Sequence, residues 1–331
     1  MLFKSYINIA IIFSISFLAF VMCPSSEATE MRQGFGQIEN EKTSDDLDRT
    51  SVYLRWRNHR REISWPYESE EDQANDHGFS VGLHRGHAPG PDFSGQRISG
   101  FIGKKISPQV YFDFEAGIHH LRDDAQSLNK NILAVGGNLN WRPNDKLYVE
   151  VGLHKDLSYL TLQPTGQAES LTELACRPSL TYRPVEKLRL INRNNFFWFS
   201  DGNRKKESDI ALMYGLATTT PWVWLGIGAS YIEFARQAAN YYSPEKFFSW
   251  GPRLEAVGKI SEQISGVLGL SLADFQEGNL ARGKGHYVSA AVRYGDRSDS
   301  LFEFQTVQVR SAQNARTWTS DIYSLSLMWS Y

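Results

Sequence analysis

From about residue 50 onward, apolar and polar residues alternate one by one, a period of two that predicts β-strands with one greasy face. About a dozen segments follow this rule, and their apolar positions are rich in aromatic and β-branched side chains. Val110, Phe112, Phe114, Ala116 and Ile118 share one face, leaving Tyr111, Asp113 and Glu115 on the other. Leu133, Val135, Gly137, Leu139 and Trp141 likewise oppose Asn138 and Asn140, and Leu147, Val149, Val151 and Leu153 oppose Tyr148 and Glu150. Later runs repeat the pattern at Ile210-Leu212-Tyr214-Leu216, at Val223-Leu225-Ile227-Ala229-Tyr231 and at Leu268-Leu270-Leu272. Charge keeps to the second face.

A soluble sandwich produces the same alternation, with the apolar face turned to a core. Three further features favour a membrane barrel. Trp141, Tyr182, Trp222, Tyr294 and Trp329 fall at strand ends, where a girdle of amphipathic rings meets the lipid interface. The hairpin Trp141-Arg142-Pro143-Asn144-Asp145-Lys146-Leu147 is echoed by Tyr182-Arg183-Pro184-Val185-Glu186-Lys187-Leu188, with further short turns near Pro108, Pro221, Ser261 and Arg297. These turns recur about every 35 to 41 residues, the length of two spanning strands with one short turn and one long loop. The long loops are expected at Arg122 to Lys130, Asp156 to Ser170, Phe275 to Gly285 and Arg310 to Thr319. Finally, Tyr323, Leu325, Leu327, Trp329 and Tyr331 form one apolar face at the end of the sequence, a pattern suited to recognition by the outer-membrane barrel assembly machinery.

Fifteen candidate strands run from Val52 to Tyr331, and antiparallel closure of one bacterial chain requires an even number. Gly34 to Ile38 supplies a sixteenth; dropping Val52 to Ile63 leaves fourteen. The reading adopted is an all-β transmembrane antiparallel β-barrel of about 16 strands, with 14 as the alternative. No run in the remaining chain is long enough for a membrane helix, so entry into a bilayer requires such closure, which pairs every backbone polar group.

Residues 1–28 are expected to be a cleaved signal peptide: Lys4 precedes an apolar run from Ile7 to Cys23, and Ser26-Glu27-Ala28 gives the small-x-small cleavage pattern. Bulky Phe20-Val21-Met22 argues against a lipid anchor at Cys23. Residues 29–50 read as a periplasmic lead-in or first strand, and 51–331 as the barrel. Beyond the signal only Cys176 remains, which excludes an internal disulfide. A net charge of -2 gives no reason to expect nucleic acid. No glycine-rich phosphate loop or cysteine pair stands out, so no cofactor and no metal is expected.

Two motifs carry a family resemblance. Ser200-Asp201-Gly202-Asn203-Arg204 follows the aromatic run Phe196-Phe197-Trp198-Phe199, and Tyr241-Tyr242-Ser243-Pro244 opens a long loop about 40 residues on. With a terminal strand ending in an aromatic, this pairing resembles the C-terminal barrel of exopolysaccharide export porins, the poly-N-acetylglucosamine export porin and the cellulose synthase outer-membrane subunit among them. The resemblance covers about residues 130 to 331. It implies a pore for a polysaccharide. Those exporters carry periplasmic tetratricopeptide repeats and this sequence holds none, so the resemblance implies a separate repeat scaffold as partner. The motifs also have a purely structural reading, since Asp201-Gly202-Asn203 is a turn signal and Ser243-Pro244 a strand boundary. Tyr241 and Tyr242 are alternatively pore-mouth rings for stacking on sugars.

Turning the polar faces inward puts Arg55, Arg57, Arg177, Arg189, Arg193, Arg253 and Arg293 in a lumen with Asp113, Glu115, Glu150, Asp209, Glu255 and Glu303. Mixed signs suit cross-strand pairing as well as a transport path. Arg177, Arg189 and Arg193, on neighbouring strands, are the candidate basic lining for an anionic or hydroxyl-rich substrate. A plug built from residues 29–50 or from an inward loop is the non-conducting alternative. For catalysis, His119-His120 with Asp123-Asp124 is the one constellation of note, and no serine motif accompanies it; enzymatic activity is not expected. His84 and His87 read as loop residues, two histidines being too few for a zinc site.

Overall fold

The alternating segments pair edge to edge into a closed wall. The computed structural model describes residues 33–44, 46–58, 76–87, 92–123, 127–158, 171–238, 241–296, 300–313 and 316–330. Its strands are β1 (Gln33–Thr43), β2 (Asp48–Arg57), β3 (Asp76–His87), β4 (Asp92–Ser107), β5 (Val110–Asp123), β6 (Leu128–Asn144), β7 (Leu147–Leu157) and β8 (Thr172–Val185). They continue as β9 (Leu188–Phe199), β10 (Arg204–Ala217), β11 (Trp222–Phe234), β12 (Lys246–Lys259), β13 (Ile264–Glu277), β14 (Gly283–Asp296), β15 (Ser300–Gln313) and β16 (Arg316–Ser330). Each pairs antiparallel with its sequence neighbours, and β1 pairs with β16, so the sheet has no edge. The closed all-β barrel therefore has sixteen strands, and residues 33–43 are part of the wall. They do not plug the lumen: every residue from Gln33 to Thr43 is in register with β16.

The wall is inverted relative to a soluble protein. Ile98, Ile102, Ile118 and Leu133 are 54–62% exposed, whereas His119, Ser80, Asn140, Arg189 and Glu173 are at most 7% exposed. Contacts that skip a strand identify the inner face, because only a concave surface brings such side chains together. Arg55 on β2 lies 3.8 Å over the Phe101 ring on β4, His119 on β5 reaches Asp156 on β7, and Arg189 on β9 reaches Glu255 on β12. Polar residues thus line the lumen and apolar ones face out, an exterior matched to hydrocarbon. Trp141, Tyr182 and Tyr294 are 41–55% exposed on this outer face near one rim, as a girdle requires. Trp222 departs from the expectation: it points inward and packs on Ile191, Ala211, Met213 and Trp224, because its parity on β11 is that of Trp224 and not of exposed Leu225.

One rim carries the start of β1, the end of β16 and two-residue turns after β4, β6 and β8. The repeated hairpin sequence belongs to this rim. Asn144 Oδ1 accepts from the Lys146 and Leu147 amides at 2.9 and 3.1 Å, closing one turn. Successive turns are stitched together: Arg142 N donates to Gln109 O (2.8 Å), Arg183 N to Lys146 O (2.7 Å) and Gly215 N to Lys187 O (2.9 Å). The connection 58–75 also belongs to this rim and breaks its short-turn rule; most of it lies outside the described residues. At the opposite rim only 158–171 and 235–245 are long. The expected loops Arg122 to Lys130, Phe275 to Gly285 and Arg310 to Thr319 are mostly strand, since backbone pairing continues past the apolar belt wherever polar side chains carry it into water.

Register is pinned by aromatic rings folded over glycines on the neighbouring strand. A Cβ added at Gly86 would lie 2.1 Å from the Phe93 ring, one at Gly283 2.4 Å from Phe275, and one at Gly34 2.2 Å from Trp329. The last of these sits on the seam between first and last strands. On β16, Tyr323, Leu325, Leu327 and Trp329 share the outer face; Tyr331 lies outside the described residues, as does the segment 1–28.

Candidate functional site

The inner face changes character around the barrel. On β2 to β7 the inward positions carry large polar and aromatic groups that interlock. Arg57 Nη1 donates to Asp76 at 2.9 Å, Arg97 lies 3.3 Å from Glu115 and 3.6 Å from Asp156, and Ser99 donates to Glu115. Asn138 donates to Asp113 at 2.8 Å, and Tyr148 donates to Asn140 at 2.7 Å. Of the acidic candidates, Asp113 and Glu115 thus sit inside this lattice, and Glu150 lies on the same inner face between Asn140 and Ser179.

The histidines take unexpected places. His119 and His120 point to opposite faces: His119 is buried inside with Nδ1 2.7 Å from Asp156 Oδ1, while His120 contacts Asn131 on the outer side. Strand pleating makes this unavoidable for adjacent residues. His84 is not a loop residue. It sits within β3, its ring 5.9 Å from that of His119, with Nδ1 3.0 Å from Ser51 Oγ. Ser51 thus meets His84, and Asp156 meets His119. Asp124 lies outside the described residues, as does the Asp123 side chain. Among the described residues no three metal-ligating side chains come together.

On β9 to β15 the inner face is built differently. Gly228, Gly251, Gly269, Ser230, Ser271 and Ser289 leave a cavity of about 690 Å³, bordered by Arg189, Arg193 and Arg253. Arg253 grips Asp209 with both terminal nitrogens, at 2.9 and 2.5 Å, and Ser230 Oγ donates to the same carboxylate at 2.5 Å. Glycine at 228 makes room for this arginine, since a Cβ would stand 2.0 Å from Arg253 Nε and force it to shift. Arg189 donates to Glu255 at 2.5 Å and lies 4.7 Å over the Trp224 ring. Arg177 lies 3.5 Å from Glu173 and over Phe197 instead. The three arginines of the expected basic cluster thus point to three different surroundings, and of them Arg193 is the one exposed to the cavity with no ion pair among the described residues. Tyr287, absent from the sequence-based candidates, also lines this space and is 42% exposed. Its signal was its parity with Ser289 and Gly285, opposite to outward Val288.

The paired motifs at 201 and 241 meet. Tyr241 is 4% exposed, donates to Asp201 Oδ2 at 2.9 Å and accepts from Asn203 Nδ2 at 2.8 Å. Asn203 also donates to Arg236 O at 3.0 Å, and Ser243 Oγ accepts from Ala238 N at 2.6 Å. Tyr241 packs on Leu171, Ala175, Phe197, Phe199 and Phe234. It has no free face for a sugar, so the stacking role is corrected to that of a bolt joining the 235–245 connection to the 200–203 turn. Burial pushes its hydroxyl up to about 12, opposed by the Asn203 bond and reinforced by Asp201. Tyr242 is half-buried, its hydroxyl raised above the ordinary tyrosine range by burial and by Glu277.

No family model and no curated protein matches the sequence. The backbone is that of an outer-membrane barrel. It superposes on a bacterial polysaccharide outer membrane secretin with a TM-score of 0.70, at 10% identity over 92% of this chain and 100% of that one. CdiB from Acinetobacter baumannii gives 0.51 at 7% identity, over 92% and 61% of the two chains. The CymD monoaromatic hydrocarbon channel gives 0.46 at 9% identity, over 92% and 90%. At these identities the likeness is one of fold.

Proposed function

We propose that this chain is an outer-membrane pore for an exopolysaccharide or for smaller hydroxyl-rich solutes. The observation that carries the reading is the open volume inside the closed wall: beside the interlocked polar groups of β2 to β7, the inner face of β9 to β15 is lined by serines, glycines and arginines around a cavity of about 690 Å³. A barrel that served only as an anchor has no need of small inward residues along adjacent strands. The polysaccharide secretin's fold and the exporter-like motifs support the choice of solute class.

In this reading residues 1–28 direct secretion and are removed, and the rim with the two-residue turns faces the periplasm. The apolar face of β16, with Tyr323, Leu325, Leu327, Trp329 and Tyr331, is read by the barrel assembly machinery, and the outer belt then meets lipid. Passage of a long polymer calls on a separate periplasmic repeat scaffold. The lumen path is lined on one side by Arg193 and Arg253 and on the other by the Asp113, Glu115 and Glu150 lattice. The reading is non-enzymatic, in keeping with a fold shared with outer-membrane channels.

The test is single-channel recording of the refolded protein in a planar bilayer, with and without oligosaccharides. Steady steps that sugars interrupt are the expected result; a correctly folded barrel that conducts nothing overturns the pore.

A further inference from the structure

We infer that the open part of the lumen is a binding station for an acidic oligosaccharide with one carboxylate per ring, with Arg193 on β9 as the charge anchor for one unit and Tyr287, five strands away on the same cavity wall, as the platform for another. The inference rests on the pore reading only for the station's place along a path. The cavity border holds four arginines and two carboxylates, Asp209 and Glu255, but Arg310 shares the outward parity of Phe302 and Phe304 on β15, so the inward-facing net charge is 3 − 2 = +1. That surplus is localised. Asp209 stands directly opposite Arg193 in the β9–β10 register, yet Arg253 takes both its oxygens and Ser230 adds a third bond. Glu255 is likewise held by Arg189. Arg193 is left exposed to the lumen with no ion pair among the described residues. A guanidinium presents a planar fork of donors that matches a single carboxylate.

Tyr287 supplies the second half of the argument. Its ring is 42% exposed on the inner wall, where no lipid rewards an aromatic surface. Gly269 on β13 puts no side chain beside the ring; a Cβ there would stand 4.0 Å from Tyr287 Cε1 and 2.5 Å from Ser289 Oγ. A flat amphipathic ring beside Ser271 and Ser289 offers an apolar surface for the C–H face of a sugar and hydroxyls for its edge. One unpaired cation matches one negative charge per unit. A phosphate-rich ligand demands more neutralisation than this wall provides, and an uncharged sugar leaves Arg193 unused.

The full mature barrel, folded in detergent and checked by its gel shift on heating, is titrated calorimetrically with trigalacturonate and with maltotriose at low salt. Trigalacturonate is expected to bind about tenfold tighter, the worth of one charge-assisted hydrogen bond. Arg193→Gln removes that preference, Arg193→Lys restores part of it, and Tyr287→Ala weakens both ligands alike. Equal affinities in the unmodified protein, or a preference that survives Arg193→Gln, overturn the station. Conductance measured on the same preparation separates the two readings. A silent barrel that still prefers trigalacturonate overturns the pore alone, and a conducting one without the preference overturns the station alone.

Discussion

Replacing Tyr241 by phenylalanine asks whether the ring or its hydroxyl matters at the rim opposite the two-residue turns. The hydroxyl donates to the Asp201 carboxylate and accepts from the Asn203 amide inside a cluster where Tyr241 is 4% exposed. Removing it leaves an acceptor and a donor less satisfied. A hydrogen bond to a charged group contributes about 1.5–3 kcal/mol. Arg236 still lies 3.4 Å from Asp201, and Asn203 keeps its bond to Arg236 O, so the loss belongs at the lower end, about 1.5 kcal/mol. Tyr241→Ala also empties the ring's place among Phe199, Phe234 and Leu171, and deleting a buried aromatic costs about 3–5 kcal/mol. Urea unfolding of the barrel in detergent measures both. A stacking role makes the opposite prediction: phenylalanine stacks as well as tyrosine, so stability and sugar block both stay put.

The same hydroxyl gives a pH signature whose sign is fixed. Its folded value is raised to about 12 against 10.0 for the free group, so the folded barrel holds a proton that the unfolded chain has lost. The stability this represents is complete below about pH 10 and disappears as pH rises towards 12. Tyr241→Phe abolishes that part of the alkaline slope. A phenylalanine variant with unchanged stability and an unchanged alkaline profile refutes the bolt.

Three other substitutions probe the wall. Gly34→Leu drives a side chain into the Trp329 ring, 2.2 Å from where its Cβ begins, and overpacking of this kind costs about 1–3 kcal/mol; the heat-shifted gel band of the folded barrel should weaken, and a Trp329→Ala background should relieve it. Leu133→Arg places a charge on a position 62% exposed towards lipid and should cost about 2–4 kcal/mol in bilayer refolding, whereas Asn138→Ser on the inner face of the same strand should cost far less; equal costs count against a lipid-facing belt. Arg253→Met strands Asp209, but the pair's side chains are 20% and 28% exposed, so a loss of about 1–2 kcal/mol is expected in place of the 3–5 of a fully buried pair, and adding Asp209→Asn should recover most of it.

The inside–outside pattern was legible because pleating ties face to parity: once Phe112 and Leu133 are outside, Asp113 and Asn138 must be inside. Strand number was legible only up to the weakly apolar Gly34 to Ile38 run, whose strand identity depends on Trp329 and the pairing with β16. Trp222 was misplaced because a tryptophan beside a turn suits a girdle and a lumen plug equally, and only the parity of β11 distinguishes them. The arginine cluster dissolved for a similar reason. Neighbouring strands bring backbones together, but the length of an arginine lets Arg189 reach Glu255 three strands away, a partner that no spacing along the sequence announces. Ser51 beside His84 was hidden in the same way, being joined only by the β2–β3 register.

The motifs that suggested a polysaccharide exporter turn out to hold a loop in place. Asp201, Asn203, Tyr241 and Ser243 spend polar atoms on one another and on local backbone, so a structural role accounts for the motifs. A chain can therefore keep them while changing what it carries. Whatever distinguishes one solute from another has to reside where polar atoms and rings remain exposed, and in this barrel that means the open part of the lumen. There Arg193 and Tyr287 stand on ordinary alternating strands with no motif around them. In the proposed pore, selectivity rests on a few inward positions that substitution can change singly, whereas the bolt and the glycine–aromatic pins must change as pairs. It follows that exchanging Arg193 and Tyr287 should alter which saccharide blocks the channel and leave unfolding in urea nearly unchanged, while exchanging Tyr241 should do the reverse.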